Sequence, residues 1–289
     1  MRKRTLWTSV SIAAAAVVAA GALAVPLLGS TPTAPVATSS ASASAAPVPS
    51  VPSVSAAALA ALPEAQYSAV IGGLMPFGRT VTTDTVFHLR ADAPLFGSDR
   101  RAPVARFAAK DFLEQPTTVV GLRREGPWEL VFTPARRQLP SAAGTAGAAA
   151  QTSAWVPVAS LTTVSTPTSR VRISTKDQTV SIVTASGAVQ KSFSAGVGTA
   201  DTPTPTGVTG YLEQRYVDPT QGTGDHPIQL TSLHSAAADE PYGGHDGGLI
   251  GMHWNAATSG AVSHGCVRLD ADAVAAIDAL PLGTLVTVE

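Results

Sequence analysis

From residue 85 to the C-terminus, apolar residues come in short, often alternating runs, closed again and again by Gly, Pro, Asp or Ser. Alternation of period two buries one face of a strand, and such frequent turn signals leave little room for helices. The chain is therefore expected to be mainly β. A first set of runs spans 85–90, 93–96, 104–107, 117–122, 126–132 and 153–158, predicting a small barrel or sandwich over residues 63–165. The Ala/Gly-rich stretch 141–151 reads as a loose hairpin loop. A second set begins at Ser169, with runs at 171–174, 179–183, 189–193, 208–212, 248–253 and 284–288, and Gly187 marks a tight hairpin. One short helix is expected, capped by Asp270 and running to about Ala279, with Val274 and Ile277 facing inward. Residues 217–247 are polar and punctuated by Gly and Pro, which predicts a long loop and a lid, with His226, His234 and His245 solvated on it.

Before these runs the sequence changes character. Arg2, Lys3 and Arg4 are the only charges in the first 63 residues, and an apolar Ala/Val-rich stretch follows them. Basic residues followed by an apolar run have the order of an export signal. Residues 1–29 serve either as a cleaved signal, with Ala22-Leu23-Ala24 as a small-x-small site, or as a retained single-pass anchor. In both cases the body faces outward. Residues 30–62 are almost wholly Ala, Ser, Thr, Pro and Val, a composition that cannot offset ordering entropy and predicts a disordered tether.

The net charge of −1 gives no basic footprint, so nucleic-acid binding has no electrostatic support. The single cysteine, Cys266, excludes an internal disulfide and a multi-cysteine metal site. No His-Glu-x-x-His pattern is present, and neither a metal nor a cofactor is expected.

Cys266 sits in Ser263-His264-Gly265-Cys266-Val267-Arg268. A thiol attacks carbonyls as the thiolate and needs a base or a positive neighbour to reach that form. Gly265 permits a sharp turn, which would present the amides of Gly265 and Cys266 to a developing oxyanion. His253, at the end of a predicted strand, can reach the thiol only through the fold, as the partner in a Cys–His pair does.

These residues resemble the signature of the L,D-transpeptidase (YkuD-type) family: a His, a spacer, then Ser-His-Gly-Cys, an apolar residue and Arg. Gly196-Val197-Gly198 and Thr204-Pro205-Thr206-Gly207 are similar to a second family run, so the resemblance covers residues 169–289. It implies a β-sandwich catalytic domain with a short helix. It also implies Cys266 as nucleophile, His253 as general base, and Ser263, His264 and Gly265 shaping the oxyanion and thiol environment. Arg268 is implied to position substrate or loop. Trp254, standing where the family commonly has Gly, either lines the groove or packs in the core. The spacer is shorter than in many relatives, which implies a trimmed loop on the acceptor side.

In the preceding region, Gly126-Pro127-Trp128 and Ala154-Trp155-Val156-Pro157 resemble bacterial SH3-like domains, with Trp128 and Trp155 read as core. The implied activity is peptidoglycan 3→3 cross-linking outside the membrane. Cys266 would take a tetrapeptide stem as a thioester, release D-Ala, and pass the acyl group to the amine of a neighbouring stem. Members are typically acylated by carbapenems and serve cell-wall organisation and cell shape. Two alternatives stay open: an L,D-carboxypeptidase hydrolysing the same bond, and a wall-binding protein with an inert catalytic-like domain.

Overall fold

In the computed structural model of the chain, residues 48–81, 84–144, 147–221, 223–243 and 248–289 are described. The expected signal or anchor, the first part of the expected tether and His245 lie outside them. Among the described residues no helix is long and apolar enough to cross a membrane.

The elements run in chain order as α1 (Ala56–Ala60), β1 (Met75–Pro76), β2 (Thr85–Leu89), β3 (Ala93–Phe96), β4 (Pro103–Phe107), β5 (Thr118–Glu125), β6 (Trp128–Thr133), α2 (Pro140–Ala143), β7 (Thr152–Pro157) and β8 (Leu161–Ser165). There follow β9 (Ser169–Ser174), β10 (Thr179–Thr184), β11 (Val189–Ser194), β12 (Val197–Gly198), β13 (Val208–Tyr216), β14 (Ile228–His234), β15 (Leu249–Trp254), β16 (Ala261–Ser263), β17 (Val267–Leu269), α3 (Ala271–Asp278) and β18 (Leu285–Val288). The chain is mainly β, as its alternating runs require.

Strands β1 to β8 form one sheet in the order β4-β3-β7-β6-β5-β2-β8, with β1 paired to β7. All its pairings are antiparallel. Its aromatic centre is tightly built. The Trp128 side chain is fully buried edge-on to Phe96, with ring centroids 4.9 Å apart, and the Arg100 guanidinium lies 3.6 Å over the Trp155 ring. Both tryptophans are core residues.

The Trp128 indole N–H donates to the Pro49 carbonyl at 2.6 Å, and Val54 packs beside the same aromatic cluster. Pro49 and Val54 of the expected tether are therefore held against this sheet, and the same stretch includes α1, capped by the Ser55 hydroxyl. Composition alone missed this because the partners that hold the segment lie about 80 residues further along the chain. Within the expected 141–151 loop, α2 supplies one helical turn with Pro140 at its start.

The second sheet runs β11-β10-β9-β18-β13-β14-β15-β17, with parallel pairings of β18 to β9 and of β15 to β17. β12 and β16 form a separate parallel pair. α3 is capped by Asp270, which accepts from the Ala273 N–H at 2.8 Å, and Val274 and Ile277 are fully buried beneath it.

The lid expectation over 217–247 requires a correction. Its middle is β14, all seven residues of which are buried between β13 and β15. His234 is accordingly buried, not solvated. Burial, helped by the Arg136 charge, holds its pKa down at about 4. The strand was hidden because several of its polar groups bond to residues of the distant region before β9. Ser232 Oγ donates to Gln151 Oε1 at 2.6 Å, the His234 N–H donates to the Ala150 carbonyl, and His234 Nε2–H donates to the Tyr67 carbonyl at 2.8 Å. An apolar cluster of Phe77, Val120, Phe132, Tyr211 and Leu285 closes the same seam, so the two sheets share buried surface.

Candidate active site

Cys266 is buried in the turn that leads into β17. The parallel register sets Met252 against Val267 and His253 against Arg268, which leaves Gly251 level with Cys266. The Gly251 N–H points at the sulfur at 3.3 Å, and the thiol lies 3.7 Å from the Leu249 carbonyl. An N–H aimed at sulfur favours the thiolate, while a carbonyl can receive the thiol proton only as a weak hydrogen bond. Gly251 was not singled out from sequence. A glycine inside a β run is the signal that could have found it.

The turn is tied from several sides. Ser263 Oγ donates to the Cys266 carbonyl at 2.5 Å and accepts from the Gly265 N–H at 3.2 Å. The Gly265 carbonyl in turn accepts from the Thr204 hydroxyl at 2.7 Å, and that hydroxyl receives the Gly198 N–H at 3.0 Å. This gives the Gly-Val-Gly and Thr-Pro-Thr-Gly runs a physical meaning: they buttress the nucleophile turn. Gly198 has no alternative, since a Cβ there would stand 2.3 Å from the Thr202 carbonyl oxygen. Gly265 has φ of +120°, a region that L side chains rarely adopt. The expectation that the Gly265 amide faces an oxyanion is corrected, because its N–H is held by Ser263.

His253 and Cys266 line the same cavity, of about 520 Å³, so the short spacer does bring the pair together. The linking segment is pinned along its length. The Asn255 N–H donates to the Leu269 carbonyl, the Val197 N–H to the Gly260 carbonyl, and the Gly260 N–H to Gln178 Oε1. His253 Nδ1 lies 2.9 Å from the Trp254 carbonyl. A carbonyl oxygen only accepts, so Nδ1 carries the proton and Nε2 of the neutral ring is left with its lone pair. Burial first, and then the Arg268 charge, hold the His253 pKa below the ordinary histidine value. The ring is thus a neutral base.

The other residues singled out from sequence are placed differently. His264 is exposed, with its ring 5.3 Å from that of Tyr242. Trp254 packs against the core of the second sheet and stacks on His226 at 5.6 Å, and it is not among the residues lining the cavity. Arg268 also stays off the lining. Its backbone pairs with Gly196 in both directions, and it acts on the site through its charge beside His253.

The walls come partly from residues that carried no sequence signal. Tyr67, Phe112, Tyr216 and Tyr242 line the cavity, with Gln221 and Thr223 as polar members, and no Asp, Glu, Lys or Arg lines it among the described residues. Also among the described residues, no group of three or more His, Cys, Asp or Glu side chains could hold a metal.

This arrangement can be compared with known proteins. The family profile for the L,D-transpeptidase catalytic domain (YkuD) matches residues 168–288. The chain thus carries a YkuD-type catalytic domain over these residues. Among solved structures, it is similar to an L,D-transpeptidase from Mycobacterium smegmatis at 16% identity, over 56% of this chain and 90% of that one, with a TM-score of 0.33. It is also similar to L,D-transpeptidase 3 from Mycobacterium tuberculosis in complex with a faropenem-derived adduct, at 15% identity over 60% and 91%, again with a TM-score of 0.33. No curated protein matches the chain.

Proposed function

We propose that the protein is a peptidoglycan L,D-transpeptidase that forms 3→3 cross-links through a thioester on Cys266. The observation that supports this best is a buried thiol and a histidine with a free Nε2 lone pair on one cavity, inside a YkuD catalytic domain. In the first half-reaction His253 Nε2 takes the Cys266 proton, and the thiolate attacks the carbonyl between the third residue of a tetrapeptide stem and its terminal D-Ala. The tetrahedral intermediate collapses with cleavage of the C–N bond. D-Ala leaves as the amine, carrying the proton that His253 returns, and the acyl group stays on sulfur.

In the second half-reaction the side-chain amine of a neighbouring stem attacks the thioester. His253 accepts the amine proton and returns it to the departing thiolate, so an amide forms and the enzyme is regenerated. The cavity's aromatic walls, uncharged among the described residues, disfavour water as the competing nucleophile. Ser263, Gly265 and Thr204 hold the turn that carries sulfur. Burial, with the Arg268 charge added, keeps His253 neutral, and His264, exposed beside the site, would meet substrate at the rim. Because the substrate is peptidoglycan, the body works outside the cytoplasmic membrane, carried there by the N-terminal basic and apolar segment.

Muropeptide analysis with purified protein and tetrapeptide stems tests the reading. Dimers joined between third residues, with D-Ala released, are expected. Tripeptides without dimers would instead establish the carboxypeptidase reaction, and unchanged stems would leave only wall binding.

A further inference from the structure

The cavity that holds Cys266 is not built by the catalytic residues' own sheet alone. Tyr67 and Phe112, from the region before β9, form part of its wall. Their rings meet edge to face at 5.0 Å. Tyr67 packs on the cluster of Ile228, Leu230 and Leu249, and the Leu249 carbonyl faces the Cys266 thiol. Tyr67 and the nucleophile therefore line the same cavity.

Both aromatics are placed by dedicated bonds. The Tyr67 backbone is fixed to β14 by His234, whose buried ring donates to its carbonyl at 2.8 Å. Phe112 rides on a turn organised by Asp111, whose Oδ1 accepts from the Leu113 and Gln115 N–H groups at 2.8 and 3.0 Å. The other oxygen, Oδ2, receives Gln214 Nε2–H of β13 at 2.5 Å. One carboxylate thus shapes the turn and moors it to the second sheet. Phe112 nevertheless remains 36% exposed, which core packing alone does not require.

Resting on the function proposed above, we infer that Tyr67 and Phe112 are specificity-determining residues, forming an aromatic wall against the aliphatic part of the donor stem peptide. The chemistry matches in two ways. Aromatic faces and Ile/Leu side chains accept methylene and methyl groups, and the absence of a charged lining residue among the described residues disfavours burying the stem's ionised groups there. The consequence is that the region before β9 takes part in donor recognition as well as covering the seam.

The test uses the full chain. Affinity for a synthetic tetrapeptide stem is measured by calorimetry in Cys266→Ala, which binds without turnover, with and without Phe112→Ala. Losing the exposed ring is expected to weaken binding about tenfold, the size of a lost aromatic contact. In the active background the same change should raise KM while kcat and the rate of Cys266 alkylation by iodoacetamide stay within about twofold. Phe112→Tyr should restore affinity, and Asp111→Ala should reproduce the loss by releasing the turn. Unchanged affinity and KM in Phe112→Ala would overturn the inference and leave the catalytic reading standing. Failure of the Cys266→Ala protein to bind the stem, together with absent D-Ala release by wild type, would overturn the catalytic reading itself and this inference with it.

Discussion

The two large sheets bury their strands in different ways, and the difference explains where chemistry could be placed. In the first, β3, β6 and β7 carry big apolar side chains such as Phe96, Trp128, Phe132 and Trp155, and every pairing is antiparallel. Its stability is local packing. In the second, the central β14 is buried along its whole length yet carries Gln229, Thr231, Ser232 and His234. The Gln229 amide N–H donates to Asp278, Thr231 to the Ile250 carbonyl, and Ser232 and His234 to Gln151 and Tyr67 across the seam. A polar strand held on both sides makes a stiff floor for the neighbouring β15, which presents Gly251 and His253 to Cys266.

The largest contrast between the sheets should appear when one key residue of each is removed. His253→Ala is expected to lower kcat/KM for D-Ala release by about 10²- to 10⁴-fold, the usual worth of a general base, with little change in melting temperature. Steady-state kinetics beside a thermal melt checks this. Trp128→Ala is its mirror image, expected to cost about 3–5 kcal/mol of stability through the cavity left behind, and is read from urea denaturation. Its kcat should be preserved under conditions where the variant stays folded.

Smaller effects probe the seam. A histidine held at about pKa 4 in the fold but titrating near 6.5 when unfolded favours the native state only while it is neutral. Its contribution is therefore complete above about pH 6.5 and is lost as pH falls toward 4, amounting to at most about 3 kcal/mol. His234→Gln keeps a donor toward Tyr67 but does not titrate. The urea midpoint of wild type should fall faster than that of the variant between pH 7 and pH 4.5. The smallest effect is expected at Arg268. Its charge adds to burial in depressing the His253 pKa, so the acid limb of kcat/KM should lie below the ordinary histidine range and move to higher pH in Arg268→Met. A limb that does not move would remove Arg268 from the electrostatics of the site.

The same contrast decides how much was legible in the sequence. Strands facing one core show alternation, so β2 to β7, β9 to β11, β13, β15 and β18 could be placed from their runs, and Asp270 announced α3. β14 was missed although Ile228-Gln229-Leu230-Thr231 alternates, because the polar, Gly- and Pro-punctuated stretch around it reads as loop and its polar partners lie in distant elements. Likewise residues 48–62 look featureless until the Trp128 indole and the Phe96–Trp128 cluster are present to receive them. At the site, Cys266, His253 and Gly265 stood out because a tight turn and a Cys–His pair need those residue types, and Ser263 through the resemblance to the family signature. Tyr67, Phe112 and Tyr216 did not, since ordinary aromatics become a wall only when the topology assembles them. Trp254 shows the converse: a conspicuous residue beside the base that packs against the core.

Whether Cys266 is an acyl-accepting nucleophile can be read most directly by intact-mass spectrometry after incubation with a carbapenem, with peptide mapping of the adduct. Wild type should gain one covalent adduct located on Cys266, and Cys266→Ala, folded to the same melting temperature, should gain none. A folded wild type that remains unmodified, or an adduct that persists in Cys266→Ala, would contradict a thioester mechanism at this residue.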